Sequence, residues 1–363
     1  MTGIKKKLDW YGIIRITAAS ALAFLIAAVI IVAVAGENAD VAIKNFFLGA
    51  VSNKRNFSKV IEDLVPLVFS GLAINVMFKS GLFSLAADSS FYMAGVTAAA
   101  IAIAVPLPPG IHQFVILLAG TLVGGLLALI PALLKKFTGA NELVTSMMLG
   151  YITFNAGYWI IRQFFVDKQN GVFSVQFLPT ATLGKMFKGT NIHYGLVIMA
   201  AAVVIMWLVV NRSRYGRELE ITGSNQPFAR YAGIEVTWVI LLSQLIGGCL
   251  GGLGGAVTMI GTFRTFQWMT AQNYVWDGIL INLLAGHKPQ LIPLAAFFMA
   301  YIRVGANVMS RVGDVSAELV AIIQAIIILL IASERFLYQM KKRKEEQEAL
   351  LNQTAAGGPA ATV

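Results

Sequence analysis

The side chains in this chain that could do chemistry are few, polar and set inside long apolar runs. Asn75, Asn155, Gln244, Asn282 and Gln324 fall within such runs, and Trp276 and Asp277 head the run that holds Asn282. An amide offers donors and an acceptor without a charge to desolvate, and an aromatic ring can stack on a flat solute. These residue types suit a neutral, hydrogen-bonding solute. They equally suit hydrogen bonds between helices, each worth about 0.6–2 kcal/mol in lipid. Catalytic patterns are missing: there is no Gly-x-x-x-x-Gly-Lys-Ser/Thr phosphate loop, no Gly-x-Ser-x-Gly elbow and no His-Glu-x-x-His pair. His112, His193 and His287 stand far apart, without metal-ligand spacing. No cofactor, metal or enzymatic activity is expected, and any dependence on ATP must come from a partner.

The elements that position these residues must be membrane helices. Of 363 residues, 57% are hydrophobic and only 13% charged, against about 25% charged in a soluble domain. The mean hydropathy is +0.73, and 34 glycines suit close helix packing in lipid. The excess of 28 Lys and Arg over 18 Asp and Glu is explained by cytoplasmic loops, so nucleic acid is not an expected partner and membrane lipid is. Cys249 is the only cysteine; it can form no internal disulfide and reads as a packing residue.

Apolar segments run over 16–34, 64–78, 91–105, 114–134, 143–161, 196–210, 238–260, 278–285, 291–304 and 319–331. The first, about 19 residues, exceeds a signal-peptide core and is expected to remain as a span. The fold expected is an all-α polytopic transmembrane bundle of about ten spans. Several segments are shorter than the ~20 residues of a straight span, so broken or re-entrant helices are expected. With both termini inside, Lys79, Lys135, Lys136, Arg212, Arg214, Arg217, Lys288, Arg335 and the basic run 341–344 are cytoplasmic. Lys44, Lys54, Arg55, Lys59, Lys168, Lys185 and Lys188 run against the rule. Residues 1–334 read as the transmembrane domain, and 335–363 as a charged cytoplasmic tail ending in disorder.

Three segments stand out. Gly71 to Gly95 interrupts membrane-depth sequence with Gly81, Asp88, Ser89 and Ser90, which implies either a cavity wall or a carboxylate capping the next helix. Gly247 to Gly278 has a similar layout on the opposite side, as an inverted repeat would give, although its glycines also fit plain helix packing. The loop NRSRYGRELEITGSNQPFARYAGIEV is too long for a bare turn and reads as short helices able to meet a soluble partner, or as an ordinary positive-inside loop.

The segments GLAINVMFKSGLFSLAADSSFYMAG, GANELVTSMMLGYI, SRYGRELEITGSNQPFARYAGI and YVWDGILINLLAG, in this order, resemble the permease family of bacterial importers for simple sugars and nucleosides, its nucleoside-uptake branch above all. The resemblance implies a multi-pass protein of the bacterial cytoplasmic membrane. It further implies that solute moves by alternating access with cytoplasmic ATP-binding subunits, a second and non-identical permease subunit, and an extracytoplasmic substrate-binding lipoprotein. It implies an ATPase-docking loop over Glu218 to Gly233. With the preceding Arg217, the docking set is Arg217, Glu218, Glu220, Gly223, Asn225, Arg230 and Gly233. Asn141 and Glu142 match a second cytoplasmic motif. For the substrate pathway the residues expected are Asn75, Asp88, Ser90, Asn155, Trp276, Asp277 and Asn282. Ser84, Asp88 and Ser90 replace the Asn, Glu and Gln of relatives, Gly150 replaces a frequent Asn, and Glu220 a common Arg. A permease for a sugar such as ribose is the alternative. An ion-coupled secondary transporter would need Asp88 or Asp277 as its titratable group.

Overall fold

The structure is a computed structural model that describes residues 39–168, 174–187, 189–270 and 272–312. The segments 16–34 and 319–331, Gln324, Lys188 and the 335–363 tail lie outside the described residues. Residues 49–304 form one compact unit, and 39–48 with 305–312 belong to another.

The described elements are helices: α1 (Ala39–Ser52), α2 (Lys54–Lys79), α3 (Ala86–Ala104), α4 (Ile111–Thr138), α5 (Glu142–Ile160), α6 (Gly195–Arg212), α7 (Arg214–Ser224), α8 (Gln226–Tyr231), α9 (Val236–Thr262), α10 (Tyr274–Leu284) and α11 (Ile292–Val312). Each of the eight described apolar segments falls on one of them. Among the described residues six helices are long and apolar enough to span a bilayer: α2, α3, α4, α6, α9 and α11 with the 3₁₀ turn before it. Helix α5 has 19 residues but carries Thr, Ser, Asn and Tyr at intervals, and α10 has only 11 residues. Both are short or polar for a lone span, as expected of helices that share a wall with a cavity. Helix α1 occupies a stretch read as an external segment; Ala42, Phe46 and Ala50 recur there every four residues, a helical spacing.

Helix ends follow local chemistry. Asn141 Oδ1 accepts from the N–H groups of Leu143 and Val144 at 2.9 and 3.3 Å and starts α5. Ser213 does the same for Gly216 at 3.0 Å, and Asn225 for Phe228 at 3.0 Å. Gly139, at φ 71°, closes α4 in the left-handed conformation.

The core is built on α9, which packs against α2, α3 and α4. Its glycine run makes this possible. A Cβ on Gly252 would lie 2.4 Å from the Gly120 carbonyl oxygen, and one on Gly124 would lie 2.5 Å from that of Gly248. Two small-residue pairs, four apart on each helix, thus face each other with backbones in contact. The packing reading of these glycines is the one the structure realises. Cys249 also packs, against Gly125.

Candidate functional site

Two non-helical stretches shape the site. The first, residues 80–85, links α2 to α3. It is held from one side by α5, where Ser146 Oγ accepts from the Leu85 N–H at 3.0 Å and Glu142 hydrogen-bonds the Phe83 backbone. From the other side it meets the α7 loop: Gly81, at φ 79°, leaves room for the backbone of Gly223 3.3 Å from its Cβ position. The second stretch, 263–273, leaves α9 and turns inward. Phe266 and Trp268 are fully buried, and the Trp268 indole lies against Gly95, the midpoint of α3. Irregular backbone at this depth is sheltered by protein, as lipid requires. Residues 174–183 stitch its outer edge: Phe266 N–H donates to Ser174 Oγ at 2.8 Å, and Phe177 N–H to the Arg264 carbonyl at 2.8 Å.

Between these stretches α3, α5 and the start of α10 enclose a cavity of about 490 Å³, within the usual range for small-molecule sites. Its wall is aromatic, with Phe91, Tyr92, Tyr151, Phe154, Tyr274 and Trp276. Phe91 packs on Trp268 and Tyr274 with ring centroids 5.5 and 5.4 Å away, and Tyr92 on Phe154 at 5.0 Å. Asp88, Ser146, Asn155, Gln272 and Asn273 supply its polar side chains. A flat solute with hydrogen-bonding edges matches such a wall.

Of the residues expected along the pathway, the cavity gathers Asp88, Asn155 and Trp276. The others serve other contacts. Asn75 bonds Asn282 at 2.8 Å, and Ser90 Oγ donates to the carbonyls of Ala86 and Gly124. Asp277 pairs with Arg303 of α11, whose guanidinium also lies 5.6 Å from the Tyr274 ring centroid. No side chain caps α3, so Asp88 faces the cavity without a capping bond. Sequence reasoning missed the aromatic cage, since rings scattered from Phe91 to Trp276 carry no periodic signal. It also missed Glu62 and Asp63, buried on α2 and paired with Lys59 at 3.2 and 3.1 Å.

Within the docking set, Arg217, Glu220, Gly223, Asn225, Arg230 and Gly233 are exposed. Glu218 is half-buried and pairs with Arg214 at 2.7 Å. Phe228 and Tyr231 add exposed aromatic surface, Tyr231 being 92% exposed. The loop also abuts the membrane core, because a Cβ on Gly223 would lie 2.0 Å from the Lys79 carbonyl oxygen.

Residues 56–332 match the family described as branched-chain amino acid transport system / permease component. The chain belongs to this permease family. It is similar to the guanosine ABC transporter permease protein NupP of Bacillus subtilis, 32% identical over 75% of this chain and 79% of the relative. It is 30% identical to the glucose ABC transporter permease protein TsgB13 of Haloferax volcanii, over 90% of this chain and 88% of the relative. A third relative is the nucleoside ABC transporter permease protein NupB of Lactococcus lactis, 26% identical over 84% of this chain and 86% of the relative. This permease is therefore a transport subunit rather than an enzyme, and a multi-pass protein of the cytoplasmic membrane.

Proposed function

We propose that the permease carries nucleosides inward through the α3–α5–α10 cavity, by alternating access driven from ATP-binding subunits. The observation that carries this reading is the cavity wall: six aromatic side chains around a carboxylate and amides, chemistry that fits a base on a sugar better than a sugar alone. The guanosine and nucleoside permeases among its relatives support it. The ATP-binding subunits and the extracytoplasmic binding protein belong to the system, and we assign the α7–α8 surface from Arg217 to Gly233 to the former. The binding protein is read as a lipoprotein, and the second permease subunit as a non-identical chain.

The test is uptake by the assembled transporter in proteoliposomes, with labelled guanosine and uridine competed by excess ribose or glucose. Nucleoside uptake that neither sugar reduces is the expected result. Sugar uptake with no nucleoside competition would move the reading to the second candidate, a sugar permease, which the Haloferax volcanii relative favours.

A further inference from the structure

Asp88 lies in the first turn of α3 on the cavity wall, and among the described residues no hydrogen bond or ion pair engages its carboxylate. Beside it, the Ser89 hydroxyl is buried without a partner, and so is the hydroxyl of Tyr92, one turn along and also on the wall. Across from them α5 carries Gly150, where a Cβ would sit 3.9 Å from both Asp88 Oδ2 and Ser89 Oγ. The absent side chain thus leaves a gap in front of two unpaired polar groups. Buried polar groups nearly always find partners, so the orphaned Ser89 hydroxyl beside the half-buried, unpaired Asp88 carboxylate marks a place on the cavity wall where a ligand completes them.

We infer that Asp88 is a specificity-determining residue that reads two adjacent hydrogen-bond donors on the solute, through the opening that Gly150 leaves. This rests on the nucleoside reading. A carboxylate offers two acceptor oxygens side by side and matches parallel donors, as it does with a guanidinium fork. A nucleoside can present such a pair in two places: the vicinal hydroxyls of ribose, or the N1–H and N2–H₂ edge of guanine. Adenine sets a donor beside an acceptor and offers no such edge. An amide in place of the carboxylate replaces one acceptor by a donor and loses the match.

The experiment uses the complete transporter in proteoliposomes and measures competition of guanosine uptake by adenosine, inosine and 2′,3′-dideoxyguanosine. It compares wild type, Asp88→Asn and Gly150→Asn, each normalised to the amount inserted. The binding protein's own selection is the same in every variant and cancels in the comparison. Removing a hydrogen bond to a charged group is worth about ten- to hundredfold, so both variants should reduce the preferred discrimination by at least about tenfold. Loss of the guanosine-over-adenosine preference assigns Asp88 to the base edge, and loss of the ribo-over-dideoxy preference assigns it to the diol. Gly150→Asn keeps Asp88 but fills the gap and sets an amide donor beside its carboxylate in place of the solute's, so it decides the matter if Asp88→Asn does not insert. Wild-type discrimination retained in the inserted variants, or an equal loss for every solute, overturns the inference. A wild-type transporter that imports no nucleoside overturns the proposed function instead.

Discussion

Asn75 on α2 donates from Nδ2 to Asn282 Oδ1 on α10 at 2.8 Å, a buried amide pair that joins residues 207 positions apart. Asn282 Nδ2 in turn meets His287 Nδ1 at 3.0 Å. The pair fastens the short α10, which has too few residues to hold itself across a bilayer. Asn75→Ala and Asn282→Ala should each lower stability by about 0.6–2 kcal/mol, and the double variant by clearly less than the sum. Thermal unfolding in detergent reads this, and additive losses would show the amides acting separately.

Gly95 and Trp268 set the depth of the second non-helical stretch. A Cβ on Gly95 would fall 2.1 Å from Trp268 Cζ3, and the indole packs among the rings of Phe91 and Tyr92 on α3 and of Phe263 and Phe266 in its own stretch. Gly95→Ala should cost about 1–3 kcal/mol through overpacking. Adding Trp268→Leu to that variant should recover part of the loss, which a comparison of melting temperatures measures. No recovery would place the strain elsewhere.

Gly223 touches the end of α2 where no side chain fits, its Cβ position 2.0 Å from the Lys79 carbonyl oxygen. Gly223→Ala must push the α7 loop away from residues 79–81, which lead directly into α3 and Asp88. Normal membrane insertion is expected, with ATP hydrolysis retained and uptake per ATP reduced several-fold. An unchanged ratio of uptake to hydrolysis would dissociate this contact from coupling. Charge-neutralising changes at Arg217, Glu218, Glu220 and Arg230 should also uncouple transport.

His193 gives stability a pH dependence. It lies outside the spans in the loop before α6, 2% exposed, and its Nδ1 accepts from the Gly195 N–H at 3.1 Å. Burial lowers its pKa from 6.5 to about 4. The neutral ring is the folded form, and a proton on Nδ1 would remove that hydrogen bond. Between these two values the unfolded chain binds more protons, so stability rises with pH. It is complete above about 6.5 and falls as pH drops toward 4, by about 1–3 kcal/mol. His193→Asn should flatten this part of the profile in pH-dependent thermal unfolding; an unchanged slope would assign it to other groups.

Much of the architecture was legible because lipid imposes simple rules on a chain. The eight described apolar segments mark helices because backbone in hydrocarbon must bond to itself, and Gly81 and Gly261 stand at or beside the two departures from helix. The caps Asn141, Ser213 and Asn225 are local chemistry, visible one residue before the helix they start. Helix α1 escaped notice because its apolar stripe is narrow and mixed with Asp40, Lys44 and Asn45.

The site was legible only in part. Asp88, Asn155 and Trp276 were singled out as polar or aromatic groups at membrane depth, and so were Asn75, Ser90, Asp277 and Asn282, since composition treats them alike. Tertiary structure separated them. Asn75 and Asn282 found each other, Asp277 found Arg303, and Ser90 found carbonyls, while Asp88 was left facing open space beside Gly150. The sequence by itself determined which parts of this protein live in hydrocarbon and where its helices must stop, because those depend on residues close together in the chain. Only the folded chain decided which polar groups are spent on each other and which remain for a solute, because that depends on partners brought together from distant positions.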